Sequence, residues 1–358
     1  MTAPSPAPGP PDYGPPPIPK RDYGIGIIGT GWVVRNYHLP AYREAGFRVV
    51  AVADLQREVA ESVAREWGVP HVFTDYRQLL DLPAVQIVDV SVPAFGRLEI
   101  VRDTAQAGKH LLVQKPLTRS YAEGVAMVEA AEKAGVRFGV NSHYRWLASV
   151  RATKLLLDRR PIGEPFAIVS EMHGNQDHLY YHKLPQRRWN ATLDDFMTVE
   201  WGAHHFDYLR FWTGREPVRV TYGGARMPGQ NFRCDMFCTL TVEFEGGLQA
   251  TVINNQVCQA PEGGWRFRVY GSEGVVEVAA FDRVGYATLA EGVWHRWEVP
   301  SRVPVDSYIG VMGDLMNAIT EGREHISGGR DNLRTTRAYL AADRSRAERR
   351  PVLVEEIA

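Results

Sequence analysis

The 358-residue chain is longer than one ordinary core accommodates and fits two domains of typical size. Its 44% hydrophobic and 23% charged residues are a globular balance, and 41 Lys and Arg against 42 Asp and Glu give a formal net charge of -1. That near-neutrality leaves no electrostatic footprint for nucleic acid or an anionic membrane. Three cysteines (Cys234, Cys238 and Cys258) are too few for a disulfide scaffold. No apolar run approaches the ~18–20 residues of a membrane-spanning helix, and the first residues lack the basic start and apolar stretch of a signal peptide. The expected compartment is the cytoplasm.

Nine of the first twenty residues are proline, which predicts an extended, disordered arm over residues 1–21. Tyr13 and Ile18 are the residues by which such an arm could anchor on a partner subunit. Residues 22–146 then alternate short apolar runs with amphipathic stretches. Strands are expected at Gly24–Ile28, Arg48–Ala53, Val85–Val92, His110–Gln114 and Val136–Val140. Helices are expected at Trp32–Ala45, Gln56–Trp67, Arg97–Ala107 and Tyr121–Ala134. Gly46, Gly68, Gly108 and Gly135 follow the helices, where a left-handed cap favours glycine. Strand–helix alternation with almost wholly apolar strands implies a doubly wound α/β domain built on a parallel sheet.

Beyond Trp146 the pattern changes. A helix at Ser149–Asp158 precedes strand-like runs at Phe166–His173, Val218–Arg226, Met236–Phe244, Leu248–Val257, Trp265–Tyr270 and Val275–Ala279, separated by turns that suit antiparallel meanders. A helical stretch at Val199–Trp212 interrupts them. Helices near Ser307–Glu321 and Arg330–Arg346 and a short strand at Val352–Val354 close a second domain, residues 147–358.

A glycine-rich search matches Gly24 to Gly29, but those residues are the first strand itself. The physically sensible window is Gly29-Thr30-Gly31-Trp32-Val33-Val34. There Gly29 turns the chain after the strand and Gly31 lets the backbone approach a pyrophosphate at a helix N-terminus. Val34 stands where a third glycine would allow close helix–strand packing, which implies a wider spacing. Asp54 ends the second strand, where an acid accepts hydrogen bonds from the adenosine ribose and repels a 2′-phosphate. NAD is therefore favoured over NADP, although Arg57 is the residue type that would hold that phosphate.

At these residues the chain resembles the Gfo/Idh/MocA family, the glucose–fructose oxidoreductase and inositol dehydrogenase group. Ala107-Gly108-Lys109-His110-Leu111-Leu112-Val113-Gln114-Lys115-Pro116-Leu117 is similar to its A-G-K-H-V-x-x-E-K-P-L signature. Glu200-Trp201-Gly202-Ala203-His204 is similar to its D-x-G-x-H element, followed by Asp207. Tyr144-Arg145-Trp146 and Ile162-Gly163-Glu164 resemble the hinge into its second domain, and Tyr270 to Gly274 its late turn. The resemblance implies a Rossmann domain followed by an α/β domain with a large, open, mainly antiparallel sheet that often forms the interface of a homo-oligomer, a dimer or tetramer. It implies NAD(P)-dependent hydride transfer at a secondary hydroxyl of a sugar, cyclitol or related polyol. Cofactor contacts would come from Gly29, Thr30, Gly31, Trp32, Val33, Asp54, Val92, Pro93, Arg97, Gln114 and Lys115. Two positions depart from the pattern: Gln114 replaces the acid before the lysine, and Arg97 stands in place of a histidine.

The chemistry of the residues agrees. Oxidising a secondary carbinol needs a group to take the hydroxyl proton and a charge to stabilise the developing alkoxide. His204 suits the base, Lys115 at the end of a parallel strand suits the electrophile, and Glu200, four residues before His204, shares its helix face. Arg145, His173, His178 and Trp189 are candidate substrate contacts, Arg145 equally a structural ion pair. Arg187 and Arg188 flank Trp189 in the same polar, aromatic stretch. His205 reads as a satisfied buried histidine. His178 and His182 have the spacing of helical metal ligands, but no helix is indicated there and no third ligand is evident, so no metal is expected. Cys234 and Cys238 read as core. Two other readings keep the fold: redox-neutral, NAD-dependent glycoside elimination, and a non-enzymatic dinucleotide sensor.

Overall fold

The structure is a computed structural model that describes residues 12–260, 263–300 and 302–358. The first domain runs β1 (Gly24–Ile28), α1 (Leu39–Ala45), β2 (Arg48–Ala53), α2 (Arg57–Trp67), β3 (His71–Phe73), α3 (Tyr76–Leu80), β4 (Ile87–Val90), α4 (Arg97–Gln106), β5 (His110–Val113), α5 (Tyr121–Lys133) and β6 (Phe138–Val140). Its six strands lie in the order β3-β2-β1-β4-β5-β6, and every pairing is parallel. This is the doubly wound arrangement, whose ligand crevice opens where the order reverses beside β1. β1 and β4 are buried at every residue, as a sheet covered on both faces requires.

The second domain comprises α6 (Ala148–Arg159), β7 (Pro165–His173), α7 (Gln176–His178), α8 (Gly202–Thr213), β8 (Pro217–Ala225), β9 (Phe237–Phe244), β10 (Gln249–Asn255), β11 (Gly264–Gly271), β12 (Gly274–Ala279), β13 (Arg283–Thr288), β14 (Trp294–Glu298), α9 (Val305–Glu321), α10 (Gly329–Glu348) and β15 (Val352–Leu353). Nine strands form one sheet, β14-β13-β12-β11-β7-β10-β9-β8-β15, antiparallel at every pairing except β7 with β10. Buried and exposed positions alternate along β9 and β11, so one face of the sheet meets the helices and the other stays open. The expected α/β class with a large open sheet is what the structure shows.

Five elements escaped the sequence reading. α7 is three residues long, in a stretch where the sequence indicates no helix. β3 is only three residues long at a sheet edge and α3 only five, so neither carries a full period. β13 and β14 continue the meander at the far edge, where half-exposed polar and aromatic residues blur the alternation.

The arm expected to be disordered splits in two. Residues 1–11 lie outside the described residues. Residues 12–22 pack on their own chain. Ile18 is buried against Gly313, where a Cβ would stand 2.3 Å from it, and Asn317 Nδ2 donates to the Pro17 carbonyl at 3.1 Å. Ile18 is thus an anchor, with α9 as its seat.

α9 also crosses the expected domain boundary. Tyr308, Val311, Met312, Leu315 and Met316 share a core with Ile25, Ile27, Leu39, Val52 and Leu112 of the first domain. Cys234 and Cys238 are buried core thiols, and burial pushes Cys234 up to about 12.

Candidate active site

At the C-terminal ends of the parallel strands the two domains enclose a cleft of about 840 Å³. Thr30, Gly31, Trp32, Val33, Val92, Pro93, Arg97, Gln114, Lys115, Trp189, Glu200 and His204 all line it, although they come from positions as far apart as 30 and 204.

The glycine turn has the register expected. Gly29 has φ +88°, and a Cβ there would stand 3.0 Å from the Ser91 backbone. Gly31 faces open space, with nothing within 4 Å of where a Cβ would be. That opening at the start of a helix is the cradle a pyrophosphate needs. Val34 is buried in a π turn, Val34–His38, which precedes α1. Two more π turns, Leu179–Lys183 and Phe196–Glu200, also border the cleft, the setting in which such irregular helix tends to occur.

Asp54 sits beside the turn, not in the cleft lining. Its Oδ2 accepts from the Thr30 N–H and hydroxyl at 2.8 and 2.9 Å, and its Oδ1 from the Gln56 N–H at 3.0 Å. The carboxylate is thereby held at the end of β2, where ribose hydroxyls would meet it. Arg57 is drawn to Glu61 at 2.9 Å on the exposed face of α2. These residues fit a dinucleotide, and the acid with its diverted arginine fits NAD.

At the other end of the cleft Lys115 Nζ donates to the Glu200 carbonyl at 3.1 Å and to Glu200 Oε2 at 3.2 Å. Arg119 takes Glu200 Oε1 at 2.9 Å and reaches Asp195 at 3.4 Å. Burial holds the Lys115 ammonium below its ordinary pKa, and Glu200 opposes that shift. His204 is buried, its ring stacked on Tyr144 with centroids 4.0 Å apart and edge-on to His143 at 5.2 Å. Burial, with the Lys115 charge, puts His204 well below the usual histidine range, so the ring is neutral at physiological pH. His205 differs. Its Nδ1 pairs with the Tyr208 hydroxyl at 2.8 Å and its Nε2 with Asn254 at 3.0 Å, a satisfied core histidine pushed down to about 3 by burial.

The two departures from the family pattern have structural consequences. Arg97 is wholly buried, and its guanidinium donates to the carbonyls of Val92, Gln114, Pro116 and Leu117 at 2.5–2.9 Å. It ties the loop after β4 to the loop after β5, and burial lowers it to about 10. Gln114 belongs to a buried polar chain that runs to Asp89. Its Oε1 accepts from the Lys115 N–H at 2.8 Å, and its Nε2 meets His38 Nε2 at 3.0 Å. His38 Nδ1 in turn contacts Asp89 at 2.6 Å. With Asp89 accepting from Nδ1–H, Nε2 is the acceptor and the Gln114 amide has one orientation.

Three of the substrate candidates lie outside the cleft. Arg145 is buried in ion pairs with Asp207 at 2.8 Å and Asp331 at 2.6 Å, in keeping with the ion-pair reading, and does not line the cleft. His173 ends β7, where its backbone pairs in register with Asn255 and Gly264, and it does not line the cleft. His178 points to solvent with its ring 4.9 Å from His182. Among the described residues no three His, Cys, Asp or Glu side chains converge as metal ligands.

The structure adds His143, Tyr180, Arg119, Tyr37 and Tyr308 to the neighbourhood. Arg119 lies four residues beyond Lys115 in the loop between β5 and α5, and no sequence motif singled it out. Tyr308 stacks on His143 at 4.6 Å and arrives from α9, nearly two hundred positions after Lys115.

A Rossmann sheet with its glycine turn and ribose acid, facing a lysine and a histidine across one cleft, defines a nicotinamide-dependent oxidoreductase architecture. The comparisons agree. Residues 23–142 match the oxidoreductase family, NAD-binding Rossmann fold, and residues 150–277 match the GFO/IDH/MocA C-terminal domain. The chain belongs to the Gfo/Idh/MocA family of oxidoreductases. It is 26% identical over 356 residues to the D-apiose dehydrogenase of Paraburkholderia graminis, covering 94% of this chain and 91% of that one. It is 34% identical over 188 residues to the inositol 2-dehydrogenase of Gluconacetobacter diazotrophicus, covering 51% and 53% of the two chains. The fold matches a levoglucosan dehydrogenase in complex with NADH and L-sorbose at a TM-score of 0.80 and 20% identity, over 94% of this chain and 99% of that one.

Proposed function

We propose that this chain oxidises a secondary hydroxyl of a sugar or cyclitol, with NAD held along the glycine turn and Asp54. The observation that carries this reading is the convergence of Lys115, Glu200 and His204, from two domains, at the C-terminal mouth of the parallel sheet. Bound NAD supplies the hydride acceptor. Lys115 directs its ammonium at the reacting oxygen and favours the developing alkoxide. His204, neutral in its buried site, takes the hydroxyl proton. Glu200 keeps Lys115 charged and aimed, and Arg119 holds Glu200.

The test is NADH absorbance with purified protein, NAD and a panel of inositols, aldoses and glycosides, repeated with NADP. Substrate-dependent NADH formation that prefers NAD supports the reading. A silent panel, with NAD binding shown separately, would sink it. Glycoside consumed without net NADH would then favour elimination, and tight cofactor binding with no turnover a sensor.

The same reading has two copies pairing through the open face of the nine-stranded sheet, which no helix among the described residues covers. Light scattering of the purified protein is expected to give at least twice the chain mass.

A further inference from the structure

Of the cations that line the cleft, all but one are accounted for within the chain. Arg35 pairs with Glu66 at 3.1 Å, Arg97 with its four carbonyls, and Lys115 with Glu200. The exception is Arg187. Among the described residues no carboxylate lies within 4.0 Å of its guanidinium and no carbonyl accepts from it.

Arg187 is nevertheless held in place. It lies 4.2 Å from the ring centroid of Tyr180, which is buried, and 5.3 Å from that of Trp32 on the glycine turn. Its neighbours Gln186, Arg188 and Trp189 are exposed, while Arg187 is half-buried and turned inward. Two aromatic faces fix the guanidinium plane and leave its N–H edge free, so little side-chain entropy remains to be lost on binding. Its charge is felt at the reaction end of the cleft, where it contributes to lowering Lys115.

A rigid guanidinium without a partner, facing a cleft in which the carboxylate of Glu200 is already shared between Lys115 and Arg119, is built to receive an oxyanion. We propose that Arg187 binds a carboxylate on the substrate, so that the cleft takes an acidic polyol, a sugar acid, in preference to a neutral one. The other oxyanion within reach is the pyrophosphate of the dinucleotide. The substrate is favoured because the glycine turn already offers backbone N–H groups to the pyrophosphate. Arg187 also reaches Trp32, but its closer contact is with Tyr180 of the second domain, and its charge acts on Lys115 at the reaction end. The proposal rests on the polyol reading above and narrows its substrate class.

The test is calorimetric titration of the NADH-bound protein with paired six-carbon ligands, D-gluconate against D-glucitol and D-galactonate against galactitol. At least one acid is expected to bind about tenfold more tightly than its neutral partner, the effect of one charge-assisted contact, and the margin should shrink as salt rises. Arg187→Gln should abolish that margin and Arg187→Lys should keep part of it, both melting as the unaltered protein does. No margin for either acid overturns the proposal. So does an Arg187→Gln variant that keeps the margin but loses NADH affinity, because the oxyanion is then the cofactor's. If neutral polyols turn over with NAD and acids gain nothing, this inference alone fails. If the acids bind with the margin but no polyol reduces NAD, the anion site stands and the dehydrogenase reading fails.

Discussion

Lys115→Ala is expected to lower polyol-dependent NADH formation by about 10³-fold, at the upper half of what one acid–base or electrostatic group contributes. The size follows from the surroundings. The ammonium is buried, its only side-chain counterion among the described residues is Glu200 at 3.2 Å, and Arg119 remains on Glu200 when Lys115 is removed. The variant therefore loses the positive charge at the reacting oxygen while the pair of Glu200 and Arg119 keeps the wall of the cleft. NADH binding, followed by its fluorescence, should change little. Turnover within about tenfold of the parent would remove Lys115 from the mechanism.

The pH profile carries a second readout. His204 lies well below its ordinary pKa, so it accepts a proton at every pH above that depressed value, and the acid limb of kcat/KM should fall below pH 6.5. Lys115 is depressed too, so activity should decline on the alkaline side before its ordinary 10.5. Lys115→Ala should erase that alkaline limb and move the acid one upward, because the Lys115 charge no longer depresses His204.

The largest stability effect is expected at Asp207→Ala, about 3–5 kcal/mol, the usual cost of breaking a buried pair from one side. Arg145 and Asp207 are both almost fully buried, joined by two hydrogen bonds of 2.8 and 2.9 Å. Arg145 also reaches Asp331, which Arg210 shares at 2.9 Å while pairing with Glu216. The cluster joins the turn that leaves the first domain, His143–Trp146, to α8 and to the first turn of α10. Removing Asp207 leaves a guanidinium in the interior with one half-exposed carboxylate. Urea unfolding at fixed slope measures the loss. A change under about 1 kcal/mol would mean that the pair behaves as one on the surface.

What the sequence made legible was local. Gly29-Thr30-Gly31, Asp54 and the Lys115-Pro116 segment announce themselves because a tight turn, a ribose acid and a strand-end lysine each need a particular residue at a particular spacing. Glu200 and His204 followed from the resemblance to the family's D-x-G-x-H element, and both reach the cleft. Glu200, however, closes the π turn before α8 and does not share its helix. The errors concern what a side chain touches across the fold. His173, His178 and Arg145 have suitable chemistry, but the fold sets all three outside the cleft, with His178 toward solvent and Arg145 on Asp207. Tyr308 was invisible because a tyrosine on an amphipathic helix reads as core, and only the packing of α9 against the first domain brings it to His143.

That packing has a consequence for how the protein is made. The dinucleotide domain is contiguous in sequence only in part, because its core is closed by α9, which leaves the ribosome more than 160 residues after β6. The nascent first domain must therefore wait with an apolar flank uncovered while the entire second sheet is synthesised, a high-contact-order step that invites chaperone capture. Since the helix that closes the core also carries Tyr308 into the cleft, the cofactor site is completed only in chains whose second domain has already emerged.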